Sequence, residues 1–307
     1  MTAMPHLVTY TRRPNALAFM AGAFLPSPGW RAGQPMPALA LRWNGLVMER
    51  GRLIAFSQAT QGPTQGPAVD EVSVLFPHAA GFRLSMALLT HRAFPLPIWR
   101  ALQIRDQLCR HRRIRADEAF DLHTCIAAHR LVGNGLEVDL HSRLLGGDTP
   151  GQRDECAWES TVTFLFRGRF GGQADPPAAT PGPQPDLTGV PPDAPPAQPL
   201  TLPTGGGWAF GELTGDYNGL HWSDRYARRS GFRAAFPHPA RLAGLCLAHL
   251  RGPDTPRQQL DLWVKGPVFY GADAELRHAA IAQGLEFGLA LTGDPRQALL
   301  GRWRALD

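Results

Sequence analysis

Phe236-Pro-His-Pro, followed by Arg241-Leu-Ala-Gly-Leu-Cys-Leu-Ala-His249, is a near copy of an earlier stretch. There Phe76-Pro-His-Ala precedes Arg83-Leu-Ser-Met-Ala-Leu-Leu-Thr-His91. In the earlier copy Ala79, Ala80, Phe82, Leu84, Met86, Leu88 and Leu89 are apolar on nearly every face, which predicts a deeply buried helix. Pro77 suits the first helical turn and Pro95 lies beyond its end. The later copy predicts a second buried helix over Ala240–Leu250. In both copies a proline break and then a run of strands follow, so the chain reads as two copies of one helix-and-sheet unit.

Working outward, the first copy is preceded by a strand, Leu39–Met48, with Asn44-Gly45 as a turn or bulge. Arg50–Phe56 reads as a continuation of the sheet, Gln58–Ala68 as a loop, and residues 1–37 as irregular structure or an edge strand. Four strands are expected after the helix: Trp99–Leu108, Ala119–Leu131, Gly135–Leu145 and Ala157–Phe170. After the second copy they are Gln259–Val264, Ala274–Ala282, Gly284–Leu291 and Arg296–Ala305. Closely spaced strands without intervening helices form antiparallel sheets, so the class is α+β. Between the copies, Gly171–Pro203 holds 11 of the 29 prolines and almost no large apolar residue. That composition predicts an extended connector and divides the chain into 1–170, a linker at 171–204, and 205–307.

At 307 residues the chain is long enough for two cores. It is 44% hydrophobic and 19% charged, with no unbroken apolar run of membrane-spanning length. No basic-then-apolar leader opens it, and its 4 cysteines, Cys109, Cys125, Cys156 and Cys246, show no CxxC spacing. Both points suit a reducing cytoplasm. The net charge of +5 has two readings: an acidic partner, such as an acidic carrier protein or a nucleotide-bearing substrate, or a compositional bias toward arginine. Arg110-His-Arg-Arg-Ile-Arg115 lacks the interleaved aromatics of a nucleic-acid surface. It reads as a solvated turn, or else as a contact for a substrate phosphate.

Chemistry concentrates just before the second helix, in Thr214-Gly-Asp-Tyr-Asn-Gly-Leu-His221. A carboxylate, Asp216, sits five residues ahead of an imidazole, His221, on a glycine-punctuated loop, with Asn218 between them. Such a loop can present an acid and a base to one substrate, Asn218 bonding loop backbone. The plainer reading makes Asp216 a turn cap and His221 a core or solvated histidine. A short helix is expected at Ser223–Arg229. Elsewhere signals are weaker. His78 mirrors His238 but has no upstream Asp-x-Asn-x-x-His, and reads as structural. His123, His129 and His141 sit on strands without a ligand partner at metal spacing. Cys246 falls on a buried helix and reads as core. GxSxG, P-loop and GxGxxG motifs are absent.

Gly215-Asp216-Tyr-Asn218-Gly-Leu-His221, with Asp224, Ala227, Gly231-Phe232 and Pro237-His238 downstream, resembles the hydratase motif of the MaoC-like (R)-specific enoyl-CoA hydratases. The repeat and linker resemble that family's double hot-dog members. In these a long helix is wrapped by an antiparallel sheet in each repeat, and a degenerate first repeat pairs with a catalytic second. The resemblance implies reversible hydration of trans-2-enoyl to (R)-3-hydroxyacyl thioesters in fatty-acid metabolism, carried on coenzyme A or acyl carrier protein. It implies Asp216 and His221 as the catalytic pair, a site between the repeats, no metal or redox cofactor, and a monomeric pseudo-dimer or homodimer.

The sequence departs from that family at the oxyanion donor. A His-Gly pair there opens the helix and the glycine amide meets the thioester oxygen, whereas here the pair is His238-Pro239. Proline has no N–H. Three outcomes are open: the amide of Ala240 or Arg241, or the Arg241 side chain, replaces the donor; the enzyme is slow or specialised; or the site binds acyl thioesters without turnover. A second departure is Gly219, where relatives carry proline. A hot-dog thioesterase is a third reading, set against by the lack of Asp or Glu on either expected helix.

Overall fold

A computed structural model describes residues 6–65, 70–146, 155–176, 183–187, 197–294 and 296–307. Parts of the expected 58–68 loop and much of the expected linker (177–182 and 188–196) lie outside the described residues. The strands form one 11-stranded sheet in the order β1-β2-β4-β5-β6-β3-β8-β11-β10-β9-β7. In the first half these are β1 (His6–Tyr10), β2 (Leu39–Val47), β3 (Ala101–Arg110), β4 (Ala119–Val132), β5 (Gly135–Leu145) and β6 (Cys156–Arg167). The second half supplies β7 (Gln198–Thr201), β8 (Gln258–Val264), β9 (Asp273–Ile281), β10 (Gly284–Leu291) and β11 (Gln297–Ala305). Apart from β1, which runs parallel to β2 at one edge, the order is a palindrome about the β3–β8 seam. The repeat read from two short helices is therefore a repeat of whole units.

Each half wraps one buried helix. In α3 (Phe76–Leu89) every residue except Met86 is buried, and α6 (Pro239–Ala248) buries Ala240 through Cys246. Leu84 and Leu88 are wholly enclosed, and full burial of a leucine side chain contributes about 1.5–3 kcal/mol. The α+β class and the two-unit architecture expected from the sequence are both observed. Asn44-Gly45 is a bulge, where the β2–β4 register shifts between Trp43 and Leu46.

Arg50–Phe56 does not continue the sheet. It lies in α2 (Arg50–Ala59), where Leu53 and Phe56, three residues apart, bury one helical face. Two further helices went unread. The first, α1 (Ala16–Ala23), is capped by Asn15, whose Oδ1 accepts from Leu17 N at 3.0 Å. The second is α4 (Gly207–Thr214). The basic run Arg110–Arg115 is no solvated turn either. Arg110 is buried, donating to Glu71 Oε1 at 2.8 Å and to the carbonyls of Val72, Thr255 and Pro256. Arg113 reaches Asp254 at 2.7 Å. These residues tie the two halves together.

Within the proline-rich stretch, β7 adds an edge strand to the second half, and Leu187 packs with Trp263 and Leu300 on the outer face of the sheet. Among the described residues, no helix is long and apolar enough to cross a membrane.

Candidate active site between the repeats

The loop from Thr214 to His238 is fixed by its own short polar side chains, each of which replaces a backbone partner. Thr214 Oγ1 accepts from Asp216 N at 3.1 Å, Asp216 Oδ1 from Asn218 N at 3.0 Å, and Asn218 Oδ1 from Leu220 N at 3.1 Å. Trp222 Nε1 donates to Tyr217 O at 2.9 Å, and Ser223 caps α5 (Asp224–Arg229). Asp216 does cap a turn, as the plainer reading held, but with one oxygen only; Oδ2 faces His221 Nε2 at 3.5 Å.

Three glycines make the turn sterically feasible. Gly215 adopts φ +82°, and a β-carbon there would run into the Arg83 side chain. A β-carbon on Gly207 would collide with the His221 carbonyl. A β-carbon on Gly219 would lie 2.6 Å from Cγ of the Tyr226 ring.

The first repeat holds this loop from behind. The last carbonyls of α4, at the negative end of its dipole, receive three arginines. Arg13 donates to Glu212 O at 2.8 Å, Arg83 to Glu212 O at 2.9 Å, and Arg52 to Leu213 O. Arg83 comes from α3, so a buried cation of one core helix positions the loop of the other repeat. Arg241 anchors the far side, donating to Ala59 O at 3.0 Å and Gly205 O at 2.6 Å.

The two histidines have separate roles. His221 is buried, and its Nδ1 lies 3.0 Å from the Phe236 carbonyl. A carbonyl only accepts, so Nδ1 carries the hydrogen and Nε2 is left as the acceptor beside Asp216. His238 Nε2 donates to Asp216 O at 2.9 Å, and its ring stacks on His221 with centroids 3.8 Å apart. Burial, with His221 beside it, lowers the His238 pKa to about 3, so this ring stays neutral. For Asp216, burial acts to raise the pKa, but the His221 and His238 rings beside it and the Asn218 N–H outweigh it and hold the carboxylate at about 2. The site thus contains one ionised carboxylate, the Nε2 of His221 facing it, and a buried Nδ1 on His238 with no hydrogen-bond partner among the described residues.

Ligand-type atoms of Asp216, His221 and His238 lie within 4.8 Å of one another. Nδ1 of His221 and Nε2 of His238 are committed to carbonyls, which leaves Nε2 of His221, Nδ1 of His238 and the Asp216 carboxylate as the atoms not bonded to a carbonyl.

Asp216, Asn218 and His221 open onto a cavity of about 220 Å³ between the repeats. Its walls are apolar: Phe82, Met86 and Leu89 from α3, Phe164 and Leu165 from β6, and Phe236, Pro239 and Leu242 from the second repeat. Arg167 and Lys265, the only lysine of the chain, also line it. The oxyanion candidates are placed as follows. Pro239 lines this cavity, Arg241 points away to its two carbonyls, and Ala240 reaches only a small adjoining void with His78, His238 and Gln103.

Gln103 lines both spaces. It was not among the residues singled out in the sequence, nor was Asp106, which is 1% exposed and accepts from Gln103 Nε2 at 2.7 Å on each oxygen. The available signal was alternation: Asp106, Leu108 and Arg110 share one face of β3, and a carboxylate on a core face is unusual. Among the other histidines, His78 is buried edge-on to Phe82 and His129 packs on Trp30. His141 lies 3.4 Å from Glu159, and His123 sits beside Arg42 and Asp121. Cys246 is fully buried, its thiol pushed up to about 12 by burial.

No protein-family model and no curated protein matches the chain. Solved structures match it over most of its length. HtdX from Mycobacterium tuberculosis is 23% identical with a TM-score of 0.67, over 86% of this chain and 99% of that one. A MaoC-like dehydratase from Phytophthora capsici is 14% identical with a TM-score of 0.69, over 89% and 96%. A Mycobacterium tuberculosis protein described as having a double hotdog fold is 16% identical with a TM-score of 0.51, over 90% and 99%. This chain is a double hot-dog. The palindromic sheet and paired central helices are that fold's two repeats, and solved structures that share it include MaoC-like dehydratases. The departure at Pro239 stands inside an otherwise matching architecture.

Proposed function

We propose that this double hot-dog catalyses the reversible addition of water to trans-2-enoyl thioesters, giving (R)-3-hydroxyacyl thioesters. The observation that carries the reading is the placement of an ionised Asp216 and the free Nε2 of His221 3.5 Å apart at an apolar cavity. A water between them donates one hydrogen to each group. His221 Nε2 takes a proton as the water oxygen bonds to C3, and the C2=C3 electrons move toward the thioester carbonyl. The imidazolium then returns that proton to C2, and Asp216 stabilises its positive charge meanwhile. One water is consumed, no electrons change hands, and the sequence requires no metal or redox cofactor.

The acyl chain occupies the cavity between α3 and α6. The carrier is coenzyme A or acyl carrier protein, and Arg167 and Lys265 supply positive charge for its phosphate. The test is a short trans-2-enoyl-CoA followed by its enoyl absorbance and by free thiol together. Loss of absorbance without thiol release, removed by Asp216→Asn, supports hydration; thiol release supports a thioesterase. Retention of the ligand with neither change supports a second reading, an acyl-thioester binder, which Pro239 favours because it removes an oxyanion donor.

A further inference from the structure

Water addition places negative charge on the thioester oxygen, and loss of one oxyanion donor costs about a hundred- to a thousandfold in rate. We propose that Gln103 donates the hydrogen bond to that oxygen in place of the amide that Pro239 lacks, with the buried Asp106 as its positioning residue. This rests on the hydration reading.

Most alternatives near Pro239 are bonded elsewhere or face only the small void. The Arg241 and Leu242 amides both bond His238 O, at 3.0 and 3.1 Å, and the Arg241 guanidinium is spent on Ala59 and Gly205. In the first repeat, the amide of Ala79 bonds Leu75 O at 3.3 Å. Asn218 commits its side-chain oxygen to Leu220 N and keeps its NH2 group on the reacting loop itself, beside Asp216 and His221. The Ala240 amide belongs to a residue that reaches only the small void.

Gln103 shares one cavity with Asp216, His221 and Pro239 and the other with Asp216, His238 and Pro239. A bulge aims it there. The β3–β6 register shifts between Gln103 and Arg105, leaving Ile104 unpaired, and an extra residue turns a side chain to the opposite face. Without it, alternation would set Gln103 and Asp106 on opposite faces; with it, the two meet. Pairing of β3 with β8 begins only at Arg105, so Gln103 stands where the seam opens into the cavity.

Asp106 explains the orientation of the amide, and Gln103 explains a carboxylate in the core. Burying a carboxylate with a single amide partner is costly. An ionised carboxylate only accepts, and one N–H of Gln103 directed between its two oxygens, each 2.7 Å from Nε2, satisfies both and leaves the second N–H for the cavity. Burial raises the Asp106 pKa to about 7. In the neutral form its carbonyl oxygen still accepts from Gln103 Nε2, so the second N–H is again left for the cavity. An N–H therefore remains in either state.

Removal of both partners together, as Gln103→Leu with Asp106→Leu, avoids stranding a buried polar group. Circular dichroism and melting verify folding before kinetics. The expected result is a hundred- to thousandfold lower kcat, on the order of one oxyanion donor, with KM little changed. Pro239→Gly, which restores the backbone N–H, should recover at least about tenfold of that loss, and Asp106→Asn, which keeps an acceptor for Gln103, should restore most of the rate that Asp106→Leu loses. A folded double variant with near-parent kcat overturns the proposal, as does failure of Pro239→Gly to recover a folded, slow one.

The carbonyl stretch of bound enoyl-CoA, read by Raman difference spectroscopy, separates this inference from the function it rests on. A band at lower frequency in the parent than in Gln103→Leu supports the donor even where no water adds. Identical bands overturn it even where hydration proceeds.

Discussion

The two repeats open their central helices with Phe-Pro-His and employ the histidine differently. His78 packs edge-on against Phe82 with ring centroids 5.4 Å apart, and burial lowers its pKa to about 4. His238 bonds the Asp216 carbonyl and stacks on His221. The following residue differs too. Ala79 has an N–H, already bonded to Leu75 O, while Pro239 has none. One repeat keeps the backbone of an oxyanion site without the acid–base loop; the other keeps the loop without the backbone donor. The first repeat compensates with side chains, sending Arg13, Arg52 and Arg83 to the end of α4 and Gln103 into the cavity. Under the proposed hydration, a division of labour between repeats follows: the second carries the reacting groups and the first supports them.

Paired substitutions at the two histidine sites break or sharpen this contrast. His221→Ala should reduce enoyl-CoA hydration by about a thousandfold or more, within the range for loss of a general base, while His78→Phe leaves kcat near the parent value. Equal losses would erase the distinction. Arg83→Met should lower kcat by about ten- to a hundredfold through misplacement of the loop, though Arg83 touches no substrate. A shift in KM alone would assign it to binding instead.

Stability should depend on pH with opposite signs at two buried groups. Asp106 has a folded pKa raised to about 7 from an ordinary 3.8. Between those values the folded state holds a proton that the unfolded state releases, so its contribution to stability falls as pH rises through that window. Asp106→Asn should therefore raise the melting temperature by several degrees at pH 8 and by less at pH 4. His78 has a folded pKa lowered from 6.5 to about 4. Here the unfolded state binds the proton first, so stability falls as pH drops from 6.5 toward 4. His78→Phe should flatten that acid limb, the smallest of these effects, visible in melts taken across the window.

The double hot-dog was legible in the sequence because two buried helices and nine of the strands follow their periods closely, and the repeat fixed their order. Asp216 and His221 were legible because the loop holds its chemistry within eight residues. Arg83 was read only as a helix residue and Arg241 as an oxyanion candidate, because a cation that anchors a distant loop carbonyl leaves no local pattern. Arg50–Phe56 misled because a strand and a short helix look alike when only Leu53 and Phe56 are buried. Gln103 was hidden by the bulge at Ile104, a shift of register that composition does not announce.

The most direct test of the central claim follows the atoms of water. A short trans-2-enoyl-CoA is incubated with the protein in heavy-oxygen water, and separately in heavy water, and the thioester is weighed by mass spectrometry. The account predicts one heavy oxygen at C3, one deuterium at C2 and an intact thioester, with neither label in Asp216→Asn or His221→Ala. Unlabelled enoyl-CoA after incubation with the parent protein, or equal labelling by both variants, would contradict it.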